Sequence, residues 1–218
     1  MTDKTKSKSA FTLAEVLITL VIIGVVAAMT IPTAINKYKD QELKSQFAKA
    51  YSTISQTIQK TEMIDYYGYA KCFYNDSVSG QVNSDCYNFF RTAFSKNLQV
   101  QKVCASNALL NGCIPEYKVY STNSGTDGFS KSNIENNTPA YVLSNGIIII
   151  PYRWFLPLFM VDINGHKGPN AYGKDCFIFL LKRNSAKGLY MVAGGGINPV
   201  SGGRTTGDMM LYALAGKN

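Results

Sequence analysis

The stretch FTLAEVLITLVIIGVVAAMTIPTAI occupies residues 11–35 and decides how the rest of the chain is organised. Residues 16–35 carry no charged side chain. Twenty helical residues span about 30 Å, which is the thickness of a bilayer hydrocarbon core. Glu15 stands at the edge of this apolar run, where an ionisable group is costly unless it has a partner or a role. We therefore predict one membrane-length helix with a functional carboxylate at its start.

A short polar and basic segment, MTDKTKSKSA, precedes the apolar run and has the character of a removable leader. Cleavage between Ala10 and Phe11 creates an α-amino group four residues before Glu15. An ammonium group and a carboxylate at this spacing neutralise each other, within one chain or between two copies. The positive end of the helix dipole also stabilises a carboxylate in the first helical turn.

Ala10 and the 25 residues after it resemble the prepilin-type cleavage and methylation segment of type IV pilins, type II secretion pseudopilins and competence pseudopilins. The resemblance implies that a prepilin peptidase and methyltransferase cuts before Phe11 and methylates its amino group. It also implies that Glu15 docks one subunit on another, and that Pro32 takes the place of a proline common in such helices. Ala10 departs from the glycine that usually precedes the cut.

Two other interpretations of the segment stay open at this point. An ordinary secretory signal peptide would be cut after Ala28, and it leaves Glu15 without a role. A plain membrane anchor needs no acidic residue either. Three lysines precede the apolar run and four follow it within residues 37–49, so the charge bias does not define the orientation. A cytoplasmic N-terminus therefore rests on the resemblance.

The helical pattern continues beyond the apolar run. Apolar side chains recur in steps of three and four over residues 43–58, which indicates a helix with one apolar face. We predict a helix over residues 12–64, with a transmembrane half at 11–36 and an amphipathic half at 37–65. Pro32 is expected to kink or loosen its middle, because proline removes a backbone donor.

Residues 66–218 are predicted to form one globular head, since the chain is too short for two further domains. A polar loop is expected at 66–84, a short helix at 87–98, an exposed loop at 121–138 and a helical turn at 208–214.

Strand signals begin near residue 141. Apolar stretches at 141–143 and 147–150 flank Ser-Asn-Gly, which favours a hairpin turn. Further runs at 155–163, 176–181 and 189–193 bring the expected total to four or five antiparallel strands. Pro157 within one run predicts an edge strand or a break. Helix first and strands later predict a pilin-like α+β fold, in which a small antiparallel sheet covers the amphipathic half of the helix.

Five cysteines in a chain with an export-type N-terminus indicate an oxidising compartment. Short separations make Cys72 with Cys86 and Cys104 with Cys113 the simplest pairing, while crossed connectivities stay open. Cys176 begins an apolar run and is predicted to be a buried, reduced thiol.

The glycine-rich segment at 161–179 holds several oxygen-bearing side chains of the type that calcium prefers. It loosely resembles the calcium loop of major type II pseudopilins. Two lysines within the segment would repel a cation, so a structural turn is the competing interpretation. The candidate calcium ligands are Asp162, Asn164, Asn170 and Asp175.

The remaining features argue against an enzyme. The only histidine, His166, excludes most catalytic triads, and no nucleophile motif is present. The net charge of +8 is spread thinly, with no dense basic patch, so the charge distribution does not favour nucleic acid as a partner. We expect a structural pilus or pseudopilus subunit in the cytoplasmic membrane, whose partners are other subunits, lipid and an inner-membrane assembly platform. The alternatives are a minor pilin that binds DNA or a surface, and a secreted enzyme beginning near Met29.

Overall fold

The computed structural model describes residues 11–64, 95–118, 133–151, 158–184, 188–194 and 199–215. The chain forms two compact units, one that ends at Glu42 and one that comprises Leu43–Asn218. Several predicted features lie outside the described residues. They are the leader at 1–10 with Ala10, the loop at 66–84 with Cys72, Cys86, residues 87–94 of the predicted helix, residues 121–132 of the predicted exposed loop and Pro157.

The first element is helix α1, Leu13–Ile64, which confirms the helix predicted over residues 12–64. Pro32 lies inside this helix. Proline removes one backbone donor and crowds the preceding turn, but the helical conformation continues on both sides of it. The loosening predicted at Pro32 therefore does not interrupt α1.

In the described part of the second unit, six strands form an antiparallel sheet in which each strand pairs with the next along the chain. Such a meander needs only local connections between neighbouring strands. The strands are β1 Val100–Cys104, β2 Ala140–Leu143, β3 Ile148–Pro151, β4 Leu158–Asp162, β5 Cys176–Asn184 and β6 Gly188–Ala193.

The sheet confirms the predicted hairpin and corrects two other predictions. Gly146 has a φ of 86° between β2 and β3, the positive value expected of the Ser-Asn-Gly turn. Strand β1 was not predicted, because the side chains in its middle are exposed and mostly polar. Of the two alternatives predicted for Pro157, the edge strand is wrong, since β4 starts at Leu158 and lies between β3 and β5. The other alternative, a break at Pro157, lies outside the described residues.

One face of the sheet packs against the part of α1 that belongs to the second unit. Phe47 of α1 is fully buried, with its ring 4.8 Å from the ring of Phe177 and 5.8 Å from that of Phe179. Ile54 and Ile58 extend this contact along the same helical face. The predicted α+β arrangement is therefore confirmed.

The opposite face of the sheet is also covered, which the sequence analysis did not predict. Ile148 and Ile150 of β3 point away from α1 and pack with Ile114, Tyr117 and Ile134 into a second core. The uninterrupted run of four isoleucines at 147–150 is the sequence signal for a strand that is buried on both faces.

Shorter helical segments are also present among the described residues of the second unit. Helix α2, Ser95–Asn97, is the described part of the helix predicted at 87–98. A π-helical turn, Asn133–Asn137, lies where an exposed loop was expected, and that expectation is wrong at Ile134, which is buried. Helix α3, Thr206–Leu214, confirms the predicted C-terminal helical turn.

Candidate functional site

Thr12 and Glu15 form a reciprocal capping box at the start of α1. The backbone N–H and the hydroxyl of Thr12 both donate to Glu15 Oε2, each at 2.8 Å. The Glu15 N–H donates in return to Thr12 Oγ1 at 3.3 Å. These bonds satisfy donors that the first turn of a helix otherwise leaves unpaired. Thr12 thus holds the carboxylate, a role not predicted for it, although Thr-x-x-Glu before an apolar run is the sequence signal for this motif.

Phe11 directly precedes the capping box, and 86% of its side chain is exposed. The Glu15 carboxylate is held at the N-terminal end of α1, where the helix dipole favours negative charge. The carboxylate therefore accepts a hydrogen bond from the Thr12 N–H, which belongs to the peptide bond directly after Phe11. Cleavage before Phe11 would give this residue a free amino group. Pairing of that amino group with Glu15 stays a prediction.

The part of α1 in the first unit exposes large apolar side chains all around its axis. By length and composition, α1 qualifies as a membrane-spanning helix, and its most apolar window is not buried within the molecule. A helix that is apolar on every side requires an apolar environment. The exposed side chains include Leu13, Val16, Leu17, Ile18, Leu20, Val21, Ile22, Ile23, Val25, Val26, Met29, Ile31 and Ile35.

Two threonine hydroxyl groups within this apolar half have hydrogen-bond partners in their own helix. Thr19 Oγ1 donates to the Val16 carbonyl and Thr30 Oγ1 to the Val26 carbonyl, both at 2.9 Å. Hydrocarbon offers no hydrogen-bond partner, so polar groups at membrane depth must be satisfied internally. Both threonines are therefore compatible with a lipid environment.

Asp162, one of the predicted calcium ligands, is the centre of a buried hydrogen-bond network at the end of β4. Its Oδ1 accepts hydrogen bonds from the backbone N–H groups of Asn164 at 3.1 Å and Gly165 at 2.7 Å. Its Oδ2 accepts from the hydroxyl of Tyr117 at 2.9 Å. Asp162 therefore joins the turn after β4 to the segment that covers the outer face of the sheet.

Asp175 has a similar role at the start of β5. Its two carboxylate oxygens accept hydrogen bonds from the backbone N–H groups of Asn170 at 2.7 Å and Ala171 at 2.8 Å. The thiol of Cys176 lies 3.6 Å from Asp175 Oδ1. Both aspartates are fully buried, so their hydrogen bonds replace the lost contact with water.

Burial of Asp162 has a marked electrostatic effect. Desolvation and, to a smaller extent, the nearby Asp175 carboxylate together raise the pKa of Asp162 to about 7, although the Tyr117 hydroxyl and two backbone N–H groups oppose the shift. Burial, together with the Asp162 charge, likewise raises the pKa of the Tyr117 hydroxyl well above its ordinary value. The network is thus sensitive to the protonation of Asp162 near neutral pH.

The four predicted calcium ligands lie between the last residue of β4 and the residue before β5, but the two carboxylates already accept hydrogen bonds from protein donors. Asn164 Oδ1 and Asn170 Oδ1 are buried without hydrogen-bond partners. In the described part of the chain, no group of three or more His, Cys, Asp or Glu side chains is arranged to hold a metal ion. This donor set fits calcium poorly, because bound N–H groups compete with a cation for the same oxygens.

The cysteines follow the predicted pairing where the structure describes them. Cys104 and Cys113 form a disulfide that closes a short loop after β1. Cys176 is a buried free thiol, as predicted. Burial raises the pKa of the Cys176 thiol well above its ordinary value, so the group is unreactive as a nucleophile.

Comparison with known proteins gives one positive result. Residues 5–31 match the family model described as the prokaryotic N-terminal methylation motif. No curated protein and no solved structure matches the chain significantly. The chain therefore carries the prepilin-type cleavage and methylation signal of type IV pilins and pseudopilins, and this signal indicates a structural subunit rather than an enzyme.

Proposed function

We propose that the chain is a structural subunit of a type IV pilus or type II secretion pseudopilus, polymerised through α1. The N-terminal methylation motif implies processing by a prepilin peptidase and assembly with other pilin subunits. In this proposal residues 1–10 are the leader and residues 11–36 form the filament core. Residues 37–65 form the part of the helix that carries the head, and residues 66–218 form the head. The single observation that carries the proposal is the membrane-length apolar helix with Glu15 in its first turn.

The exposed apolar half of α1 explains both stages of the proposed pathway. Before assembly, lipid of the cytoplasmic membrane covers the apolar side chains. During assembly, α1 helices of neighbouring subunits replace the lipid, with the inner-membrane platform supplying the force. Gly24, Ala27 and Ala28 allow close approach of helices because their side chains are small. The apolar side chains are buried both before and after this exchange, so their burial does not select the neighbouring subunit. A polar contact has to supply the specificity of docking.

Glu15 supplies that contact in our proposal. Cleavage before Phe11 creates an ammonium group, and a neighbouring subunit presents its Glu15 carboxylate to it in a medium of low dielectric constant. A charge pair is strong in such a medium, and either charge alone is strongly disfavoured. The capping box with Thr12 keeps the carboxylate satisfied until the intermolecular partner arrives.

Mass spectrometry of the N-terminal peptide from the native host tests the processing step. We expect a mature chain that begins with N-methylated Phe11. A chain that retains residues 1–10, or one that begins after Ala28, would contradict the proposal.

Replacement of Glu15 by alanine tests the assembly step. We expect normal cleavage and membrane insertion of the Glu15→Ala variant but loss of its incorporation into filaments, measured by shearing and immunoblotting. Glu42→Ala is the matched control, because it removes an acid from the same helix outside the apolar run. Equal assembly of the two variants would exclude the docking role of Glu15.

A further inference from the structure

A narrow polar stripe runs along the apolar half of α1. Because α1 is one continuous helix, each residue advances about 100° around its axis. Six polar residues lie between positions 13 and 37, and five of them fall within a sector of about 60°. Such a sector holds about one residue in six, so polar residues scattered at random would not gather there. The five residues of the stripe are Glu15, Thr19, Thr30, Thr33 and Lys37.

The stripe extends over the whole length of the apolar run. Glu15 and Thr33 are about five complete helical turns apart, or about 27 Å along the axis. All five side chains are exposed, so the described part of the chain does not cover them. The stripe has an acid at one end and a base, Lys37, at the other. It is therefore an uncovered face of membrane length with opposite charges at its ends.

The threonine hydroxyls of the stripe retain the capacity to accept hydrogen bonds. Thr19 Oγ1 and Thr30 Oγ1 donate their protons to carbonyl groups of their own helix. A hydroxyl oxygen has two lone pairs, so it can still accept a hydrogen bond from another group. Lipid chains offer no donor, whereas a threonine on a facing helix does. These hydroxyls are therefore better satisfied against protein than against lipid.

A neighbouring copy of α1 is the occupant that fits this face. In membrane proteins, polar side chains face other helices, and threonine is enriched where helices touch. The stripe begins at Glu15, whose partner in the proposed function is the ammonium group of a neighbouring subunit. That group belongs to the first residue before the neighbour's own α1. Contact made at Glu15 therefore brings a second α1 to the end of the stripe, and the remaining polar positions lie on the same side.

We propose that the stripe is the face of α1 that contacts the α1 helix of a second copy in the filament. Glu15 lies at one end of this contact, and the hydroxyls of Thr19, Thr30 and Thr33 lie along it. The inference rests on the proposed function and adds the rotation of α1 about its own axis. Each threonine contact between membrane helices is weak. The stripe therefore selects the orientation of the helix, while apolar packing provides most of the contact area.

Competition between variant and wild-type chains in the native host tests the stripe. The two chains carry different tags, and their ratio in sheared filaments is divided by their ratio in the membrane fraction. Threonine to valine removes the hydroxyl at nearly constant shape. We expect Thr19→Val, Thr30→Val and Thr33→Val each to lower relative incorporation about threefold, and the triple variant to lower it about twentyfold.

Val21→Thr is the matched control. Val21 is exposed on the other side of α1, about 150° from the centre of the stripe. The change adds a hydroxyl to the same helix and should leave incorporation unchanged. The double variant that combines Thr19→Val with Val21→Thr has the composition of the wild-type chain, yet it should be depleted about threefold, like Thr19→Val alone.

The outcomes separate the stripe from the proposed function. Incorporation of the triple variant equal to that of the wild-type chain would overturn the stripe and leave the proposed function intact. Depletion of Val21→Thr equal to that of Thr19→Val would also overturn it, because the side of the helix would then not matter. Absence of the wild-type chain from sheared filaments would refute the proposed function itself, and the stripe with it.

Discussion

The two halves of α1 satisfy their apolar side chains in different ways. Ile22, in the first unit, is 57% exposed and has apolar neighbours on all sides of the helix, whereas Phe47, in the second unit, is fully buried against the sheet. Only one face is apolar in the second half, and the chain itself covers it. The comparison teaches that the distribution of apolar side chains around a helix indicates what covers it. One apolar face is covered by the rest of the chain, whereas a helix that is apolar on all sides needs lipid or other molecules.

The largest expected effect on stability tests this comparison directly. Phe47→Ala removes a buried aromatic ring and leaves a cavity, so we expect a loss of about 3–5 kcal/mol in the free energy of unfolding. Ile22→Ala is the matched variant in the exposed half and should leave that free energy unchanged. Chemical unfolding of the chain in detergent, followed by circular dichroism, measures both. Equal effects would remove the distinction between the two halves.

The next effect concerns the raised pKa of Asp162. This shift depends on burial, so it has no equivalent in the exposed half of α1. Its pKa is about 7 in the folded chain against an ordinary value of 3.8, so the folded state binds the proton more tightly. Proton binding therefore stabilises the folded state by up to about 4 kcal/mol. This stabilisation is fully present below about pH 3.8 and is lost as the pH rises through 7. Asp162→Asn should flatten this decline.

Unfolding experiments at a series of pH values between 4 and 8 check this prediction. Asp208→Asn is a suitable control, because it removes an exposed carboxylate from α3 and should leave the decline in place. An unchanged pH dependence in the Asp162→Asn variant would show that this group does not titrate as predicted.

A smaller effect is expected at the start of the exposed half. Thr12→Ala removes the hydroxyl from the capping box and should destabilise the first turn of α1 by about 1 kcal/mol. Hydrogen exchange at the Glu15 amide should accelerate about fivefold, while exchange near Phe47 stays the same. Thr12→Ser keeps the hydroxyl and should restore protection. Protection that is indifferent to both changes would contradict the capping role.

The smallest effect is expected for calcium. Because protein N–H groups occupy the carboxylates of Asp162 and Asp175, about 1 mM calcium should leave the melting temperature of the chain unchanged. Magnesium serves as the control for non-specific ion effects. An increase in the melting temperature with calcium alone would support the calcium loop and contradict this expectation.

The local features of this protein were predictable because neighbouring residues create them. The helix limits, the hairpin at Asn145-Gly146 and the link between Cys104 and Cys113 follow from periodicity, turn chemistry and short separation. Strand β1 and the buried turn at Ile134 were not predictable in this way, because tertiary contacts override weak local preference there.

The sequence by itself determined the apolar first half of α1 and the acid at its start, since both depend on residues within a few turns of one another. The isoleucine run at 147–150 is a sequence signal for a strand buried on both faces, but only the tertiary structure decided which segments cover the outer face. It also brought Tyr117 to Asp162, two residues that are far apart in the chain. Their contact arises only when the strands and the segment that covers them pack together. Long-range packing therefore defines the buried network.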